Sequence, residues 1–383
     1  MKIVVATDSF KGCMTSKEAG ECIKAAILET MSADVKVFPL ADGGEGTVEA
    51  LLSCKNGVKE EITVTGPLGD KIQSYYGIVP DKKMAIMEMA NVAGLTLVPD
   101  KSKNPMNTTT YGVGEMILDA AEKGCREFLI GIGGSGTNDG GLGMLSALGV
   151  DFTEADGNNA GIYGRDVIGV EAVDITKMNP VLKECHFTIM SDVTNPLCGE
   201  MGSSAIFGPQ KGASPKVIER MDNGLRHYAD IIKRDTGKDC AEMKGAGAAG
   251  GLGFAFLSFL NTSLIPGISY MLDALGLDGE MEDADIVITG EGKLDAQTLM
   301  GKAPAGVAAL AKKHGARVLA FTGNLDVETN IDTLHNKEGM DAYFSICKCP
   351  ISTDEAMVKE VALDNLRSSV IQVFNIINMF CSK

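Results

Sequence analysis

One unit recurs at both ends of this chain and limits what it can fold into: a short β-branched run, an acidic or glycine-rich turn, then an amphipathic helix. Residues 2–7 (KIVVAT) stop at DSFKG, residues 8–12, and a helix starts near Ser16, whose hydroxyl is placed to cap it. Residues 35–40 repeat the run, end in ADGGEGT at 41–47, and lead into a helix over 48–52. Near the other terminus, residues 285–289 lead into GEGKLD at 290–295, then a helix over about 304–314 and a strand over 317–321. Pro304 falls in the first turn, where a helix tolerates proline. A strand over 342–346 and a single long helix over about 353–374 close the chain. Strands and helices alternating at this spacing call for right-handed crossovers and a parallel sheet.

The expected fold is therefore α/β with two domains. Residues 1–56 and 284–383 build a flavodoxin-like (Rossmann-like) parallel sheet of order 2-1-3-4-5, and residues 57–283 form a second α/β domain inserted into it. The 383 residues suit this division, because single cores rarely grow beyond about 250 to 300 residues. The 2-1-3-4-5 order puts the first strand beside the one at 285–289. Ligands of such sheets lie beyond the strand carboxyl ends at that switch point, so residues 8–12 and 290–295 should face each other. The insert opens with strand-like segments at 61–65, 72–79 and 84–89 separated by turn residues, which predicts a small antiparallel patch.

Glycine makes up 46 of the 383 residues, about 12% against a usual ~7%, and it clusters in runs. The densest run, GIGGSGTNDGG at 131–141, follows an apolar strand and precedes a helical run over 142–148. Glycines let backbone N–H groups approach an anion, the helix N-terminus adds its dipole, and Ser135, Thr137 and Asn138 offer further hydrogen bonds around Gly133 and Gly134. The alternative is a tight strand-to-helix turn with Asp139 as a cap. SDVTNPL at 191–197 follows another strand; Asp192 is suited to Mg²⁺, or else simply forms the turn. FGPQKGA at 207–213 offers Lys211 on a rigid turn, either as a local cation for an anionic substrate or as a solvated surface lysine.

Asp8, Lys11, Asp42, Glu45, Glu291, Lys293 and Asp295 all fall at predicted strand ends. That mixture of carboxylates and ammoniums is what phosphoryl transfer asks for: oxygens for a metal, cations for the phosphate, a carboxylate to take the hydroxyl proton. Helix capping is the competing role for Asp8 and Asp42. No GxxxxGK[ST] run exists, which excludes a P-loop kinase. GAGAAG at 245–250 matches a dinucleotide fingerprint but follows a charged segment instead of an apolar strand. His186, His227, His314 and His335 have no metal-ligand spacing. A net charge of −16 argues against nucleic-acid binding. Ten cysteines without a CxxC pair, no signal-like start and no long apolar stretch point to a reduced, cytoplasmic, membrane-free setting.

Taken in order, DSFKG at 8–12, PLADGGEGT at 39–47, the 131–141 loop, DVTNPL at 192–197, FGPQKGA at 207–213, GAGAAGGLG at 245–253 and ITGEGKLDAQ at 288–297 resemble the glycerate kinase family. The resemblance spans almost the whole chain, except about the last 50 residues. Gly136 stands where the family more often has Ala, a change that removes no reactive group. The resemblance implies an ATP-dependent kinase that phosphorylates D-glycerate, in this branch usually at the 2-hydroxyl, with Mg²⁺. On that reading Asp192 holds the metal and Lys11 and Lys293 carry phosphoryl charge, while Asp42 or Asp295 stands near the substrate hydroxyl. Asp8, Ser9, Gly43, Gly44, Glu45, the 133–139 loop, Lys211 and Glu291 contribute to substrate and nucleotide binding. A kinase for another small hydroxy acid, or a non-catalytic organic-acid-binding protein, are the alternative readings.

Overall fold

The structure is a computed structural model that describes residues 1–41, 43–294, 303–325 and 339–381. In chain order its strands are β1 (Lys2–Val5), β2 (Asp34–Val37), β3 (Val58–Thr65), β4 (Lys71–Val79), β5 (Met84–Glu88), β6 (Glu127–Gly131), β7 (Asp151–Glu154), β8 (Val170–Asp174), β9 (His186–Met190), β10 (Thr262–Ile265), β11 (Ile286–Leu294), β12 (Arg317–Leu325) and β13 (Ala342–Ser345). By backbone contacts the chain divides into two compact units, residues 1–42 with 267–383 and residues 43–266.

The first unit is built on an all-parallel five-stranded sheet of order β13-β12-β11-β1-β2. Read by strand position this is 2-1-3-4-5, as the alternation of runs and helices predicts. Its core joins Ile3 and Val5 of β1, Ile286 and Ile288 of β11 and Phe321 of β12 to Ile23 and Ile27 of the helix Ser16–Thr30 and to Leu366, Val370 and Phe374 of the helix Lys359–Cys381. Each such side chain contributes on the order of 1.5–3 kcal/mol by leaving water. Three local expectations are corrected. Thr15, not Ser16, is the N-cap: its hydroxyl accepts from the Glu18 N–H at 3.2 Å, and Glu18 accepts from the Thr15 N–H at 3.0 Å. The segment 290–294, read as a loop, continues β11 and pairs with β12 from Gly290 opposite Phe321 to Leu294 opposite Leu325. The expected single helix over 353–374 is two, Thr353–Ala356 and Lys359–Cys381, broken at Met357 and Val358.

The second unit holds a six-stranded mixed sheet of order β10-β9-β6-β5-β4-β3. Its β3-β4-β5 end is antiparallel, the patch expected from the turn signals, and β5, β6, β9 and β10 run parallel. Phe128 and Phe187 stack across β6 and β9 with ring centroids 4.8 Å apart, and Phe256 packs on Phe187 at 5.9 Å. The boundary of the units differs from the expected 56/57 and 283/284. The helix Thr47–Cys54 packs on β4 and β5, and the helix Gly267–Ala274 packs on the helix Ala303–Lys313, so each belongs to the unit that holds its packing partner. Among the described residues no helix is long and apolar enough to cross a membrane.

Candidate active site

In the first unit, the sequence-predicted residues gather where strand order reverses. The Asp8 N–H donates to the Gly290 carbonyl at 2.9 Å, extending the β1–β11 pairing past the end of β1. Asp8 is buried, and its carboxylate accepts the Ser9 N–H at 2.7 Å. The turn 10–14 closes on itself, Phe10 and Met14 exchanging backbone hydrogen bonds, and presents Lys11 to solvent. Its backbone lies against β11: a Cβ on Gly292 would come 3.4 Å from the Lys11 nitrogen. Residues 8–12 and 290–293 are therefore neighbours, as the switch-point argument requires. Glu291 is buried and Lys293 exposed, and both, with Lys11, line a cavity of about 460 Å³. Asp42 and Asp295 lie outside the described residues.

In the second unit, three glycine-containing loops meet at the carboxyl ends of β5, β6 and β9. The Gly133 N–H donates to the Gly43 carbonyl at 3.3 Å and the Ile132 N–H to the Met190 carbonyl at 3.3 Å. Glycine is needed at 131, where a Cβ would sit 2.1 Å from the Gly43 carbonyl oxygen. The arrangement brings the backbone of Gly43, Gly44, Gly133 and the end of β9 together. Gly134 is exposed and Ser135 half-buried, and the exposed carboxylates of Glu45 and Asp192 belong to two of these same loops.

The rest of the 131–141 loop is turned inward. Asn138 accepts from the Ser203 hydroxyl at 2.6 Å and donates to the Ser204 hydroxyl at 2.8 Å. Asp139 is fully buried and accepts from the N–H and hydroxyl of Thr110, both at 2.7 Å, and from the N–H groups of Gly141 and Gly143. The N-cap of the helix Leu142–Ala147 is Gly141, and Asp139 reaches its first turn from outside by accepting the Gly143 N–H at 3.3 Å, so it ties the turn to the helix start without being its N-cap. Burial pushes the Asp139 carboxyl up, against those four donors. Lys211 is 2% exposed; its ammonium donates to the Ser135 hydroxyl at 2.8 Å and the Thr137 carbonyl at 2.6 Å. Burial lowers its pKa to about 7, with the Asp139 charge working the other way. Lys211 reaches the exposed rim of the loop through Ser135, and the Thr137 hydroxyl is buried without a partner. Residues 245–253 buttress this loop from behind: the Gly140 N–H donates to the Gly250 carbonyl at 2.9 Å, and a Cβ on Gly250 would sit 2.1 Å from the Thr137 oxygen. Their glycines serve this close approach between two stretches of backbone.

Glu88 is a further buried carboxylate of this unit that no motif marks. It ends β5 opposite Gly131 and is 1% exposed. One carboxylate oxygen accepts the Val48 N–H at 2.7 Å, capping the helix that begins at Thr47, whose own N-cap is Gly46 with no side chain to offer. Burial raises its pKa to about 7 against that hydrogen bond, with Glu49 and Glu45 adding repulsion. The available signal was a lone carboxylate inside the apolar run MAIMEMA at 84–90.

This architecture, glycine loops and mixed charges at the carboxyl ends of parallel strands, is that of a ligand-binding α/β enzyme. The model of the glycerate kinase family matches residues 3–378. A glycerate kinase from Haemophilus influenzae is 45% identical over 90% of this chain and 91% of its own length. A glycerate 2-kinase from Escherichia coli K12 is 44% identical over 96% and 95%. A solved structure from Salmonella typhimurium LT2, carrying a glycerate kinase 2 assignment, superposes with a TM-score of 0.83 at 40% identity and covers 100% of both chains. The chain belongs to the glycerate kinase family, and so to the kinases.

Proposed function

We propose that the protein transfers the γ-phosphoryl group of ATP to the 2-hydroxyl of D-glycerate, giving 2-phosphoglycerate and ADP. The observation that carries this reading is the meeting of Lys11, Glu291 and Lys293 around one cavity at a sheet switch point, in a chain of this family. Lys11 and Lys293 offset charge on the phosphoryl oxygens, where positioning and electrostatics do most of the work of phosphoryl transfer. Asp42 or Asp295 accepts the proton of the attacking hydroxyl. Gly133, Gly134 and Ser135 present the exposed part of the anion loop, and Thr137, Asn138, Asp139 and Lys211 hold it in shape. Asp8, Ser9, Gly43, Gly44, Glu45 and Glu291 complete the binding loops.

Magnesium usually takes one or two protein carboxylates and fills its remaining positions with water and phosphate oxygens. Asp192, exposed just past β9, fits that sparse demand, and Mg²⁺ bound there would neutralise part of the triphosphate charge. The need for ATP and the buried, unpaired thiols of Cys125, Cys185, Cys198 and Cys240 suit a cytoplasmic setting. The reading is tested by ADP release with ATP and Mg²⁺ against D-glycerate, lactate, tartronate and glycerol. D-glycerate should give the highest kcat/KM, and an equal or higher value for another acceptor would move the assignment to that acid.

A further inference from the structure

Two polar side chains among the residues lining the cavity in the first unit, Ser9 and Asn365, make no side-chain hydrogen bond among the described residues. The Ser9 hydroxyl is buried with no hydrogen-bond partner. Asn365, on the helix Lys359–Cys381, is 6% exposed, and its amide makes no hydrogen bond among the described residues. The Asn365 amide therefore keeps its hydrogen-bonding capacity for whatever enters the cavity, and a ligand that displaces water there has to complete it. At about 460 Å³ the space is within the ~300–1,000 Å³ range of sites for drug-sized molecules, and it is far larger than a small hydroxy acid would fill. Its apolar wall comes from Phe10, Ile346, Ile351 and Met357, and Lys11 and Lys293 line the same space.

We propose that this cavity holds the nucleoside of ATP, with the Asn365 amide pairing with the 6-amino edge of adenine between the apolar side chains. The proposal rests on the ATP-dependent reading above and assigns the nucleoside half of that substrate to a surface shared between the β1 and β11 turns and residues 346–365. An amide presents an acceptor beside a donor, which complements the N6 donor and N7 acceptor of adenine in a bidentate pair. The aromatic and aliphatic side chains suit a flat ring, and the two ammoniums suit its phosphates. The turn at Met357 and Val358 that breaks the C-terminal helix has a use here: Met357 is held over the DSFKG turn, its methyl 3.0 Å from where a Gly12 Cβ would be.

The test is calorimetric titration of the full chain with ADP and with purine riboside diphosphate, which lacks the 6-amino group, on the wild type, Asn365→Leu and Ala356→Trp. Wild type should bind ADP roughly 2-fold to 13-fold more tightly than the deamino analogue, which keeps N7 and loses one of the two hydrogen bonds of the pair. Asn365→Leu should lose a similar factor for ADP and nearly erase the difference between the two ligands. It should also melt within a few degrees of the wild type, because the amide makes no hydrogen bond among the described residues; a structural asparagine would lower the melting temperature. Ala356→Trp, placed on the cavity wall, should abolish ADP binding with an unchanged circular dichroism spectrum. Asn365→Leu binding ADP as wild type does, or ADP binding that survives Ala356→Trp, would overturn the assignment. Because no glycerate is present, nucleotide binding as described without glycerate turnover sinks the functional reading alone. Glycerate turnover with an unchanged ATP KM in Asn365→Leu sinks this one alone.

Discussion

Replacing Glu88 by Gln isolates a single buried charge. The carboxyl is 1% exposed and its pKa is raised from 4.5 to about 7, burial being the largest cause. For an acid whose folded pKa is raised, the folded chain keeps a proton that the unfolded chain has released between about pH 4.5 and 7. Stability therefore falls as pH rises through that window, and above it the folded state carries an ionised carboxylate in a poorly solvated place. The step from 4.5 to about 7, at about 1.36 kcal/mol per pH unit, corresponds to about 3 kcal/mol, an upper figure because water can reach an ionised group by local relaxation. Glutamine keeps an oxygen to accept the Val48 N–H at the helix Thr47–Cys54, so the cap survives while the charge is lost. Urea unfolding at about pH 4.5 and about pH 8 measures the difference. Relative to wild type, Glu88→Gln should gain about 2 to 3 kcal/mol between the two conditions, with unchanged m-values. A mutant-minus-wild-type difference that stays flat across that range would refute the reasoning and make Glu88 an ordinary solvated cap.

Lys211→Met should cost about 1–3 kcal/mol, since the Thr137 carbonyl loses its buried donor. Wild-type stability should rise with pH between about 7 and 10.5, because the unfolded chain there holds a proton that Lys211 has shed, and urea unfolding of the mutant should lack that rise. Gly131→Ala places a Cβ 2.1 Å from the Gly43 oxygen and should cost about 1–3 kcal/mol in thermal unfolding and most of the activity. Gly136→Ala meets Gly94 and Leu95 only at 3.0 Å and should stay within about 1 kcal/mol, the entropy gain offsetting a small shift. Asp192→Ala should raise the Mg²⁺ concentration for half-maximal rate by about 10-fold; an unchanged requirement would take the metal away from Asp192.

Where burial is continuous, the residues alone were enough. The runs at 2–7, 285–289 and 317–321 are apolar because both faces of a parallel sheet are covered there, and the run at 35–40 is the sheet edge with Lys36 exposed, so strand positions, order and the meeting of Asp8 with Gly290 could be read directly. Pattern reading stopped where backbone does the work of side chains. GEGKL at 290–294 lacks an apolar rhythm yet stays in the sheet, because Gly290 and Gly323 let β11 and β12 approach closely. Met357 and Val358, both largely exposed, separate two helices that carry no sequence signal of a break. At the site, residue type was legible but direction was not. Lys211 was read as a ligand-facing cation or a surface lysine, and it is a buried strut tying the turn Pro209–Lys211 to Ser135 and Thr137. Asn365 carries no local signal, because only the fold places it on the cavity wall.

The most direct test of the central claim is phosphorus NMR of the product formed from ATP, Mg²⁺ and D-glycerate by the full chain. The account predicts glycerate-dependent loss of the γ-phosphate signal, matched by ADP and a new phosphate ester resonance coupled to the C2 proton of 2-phosphoglycerate. A resonance coupled to the C3 methylene protons would contradict the regiochemistry, and no ester from folded protein that binds ADP would contradict the kinase assignment to glycerate itself.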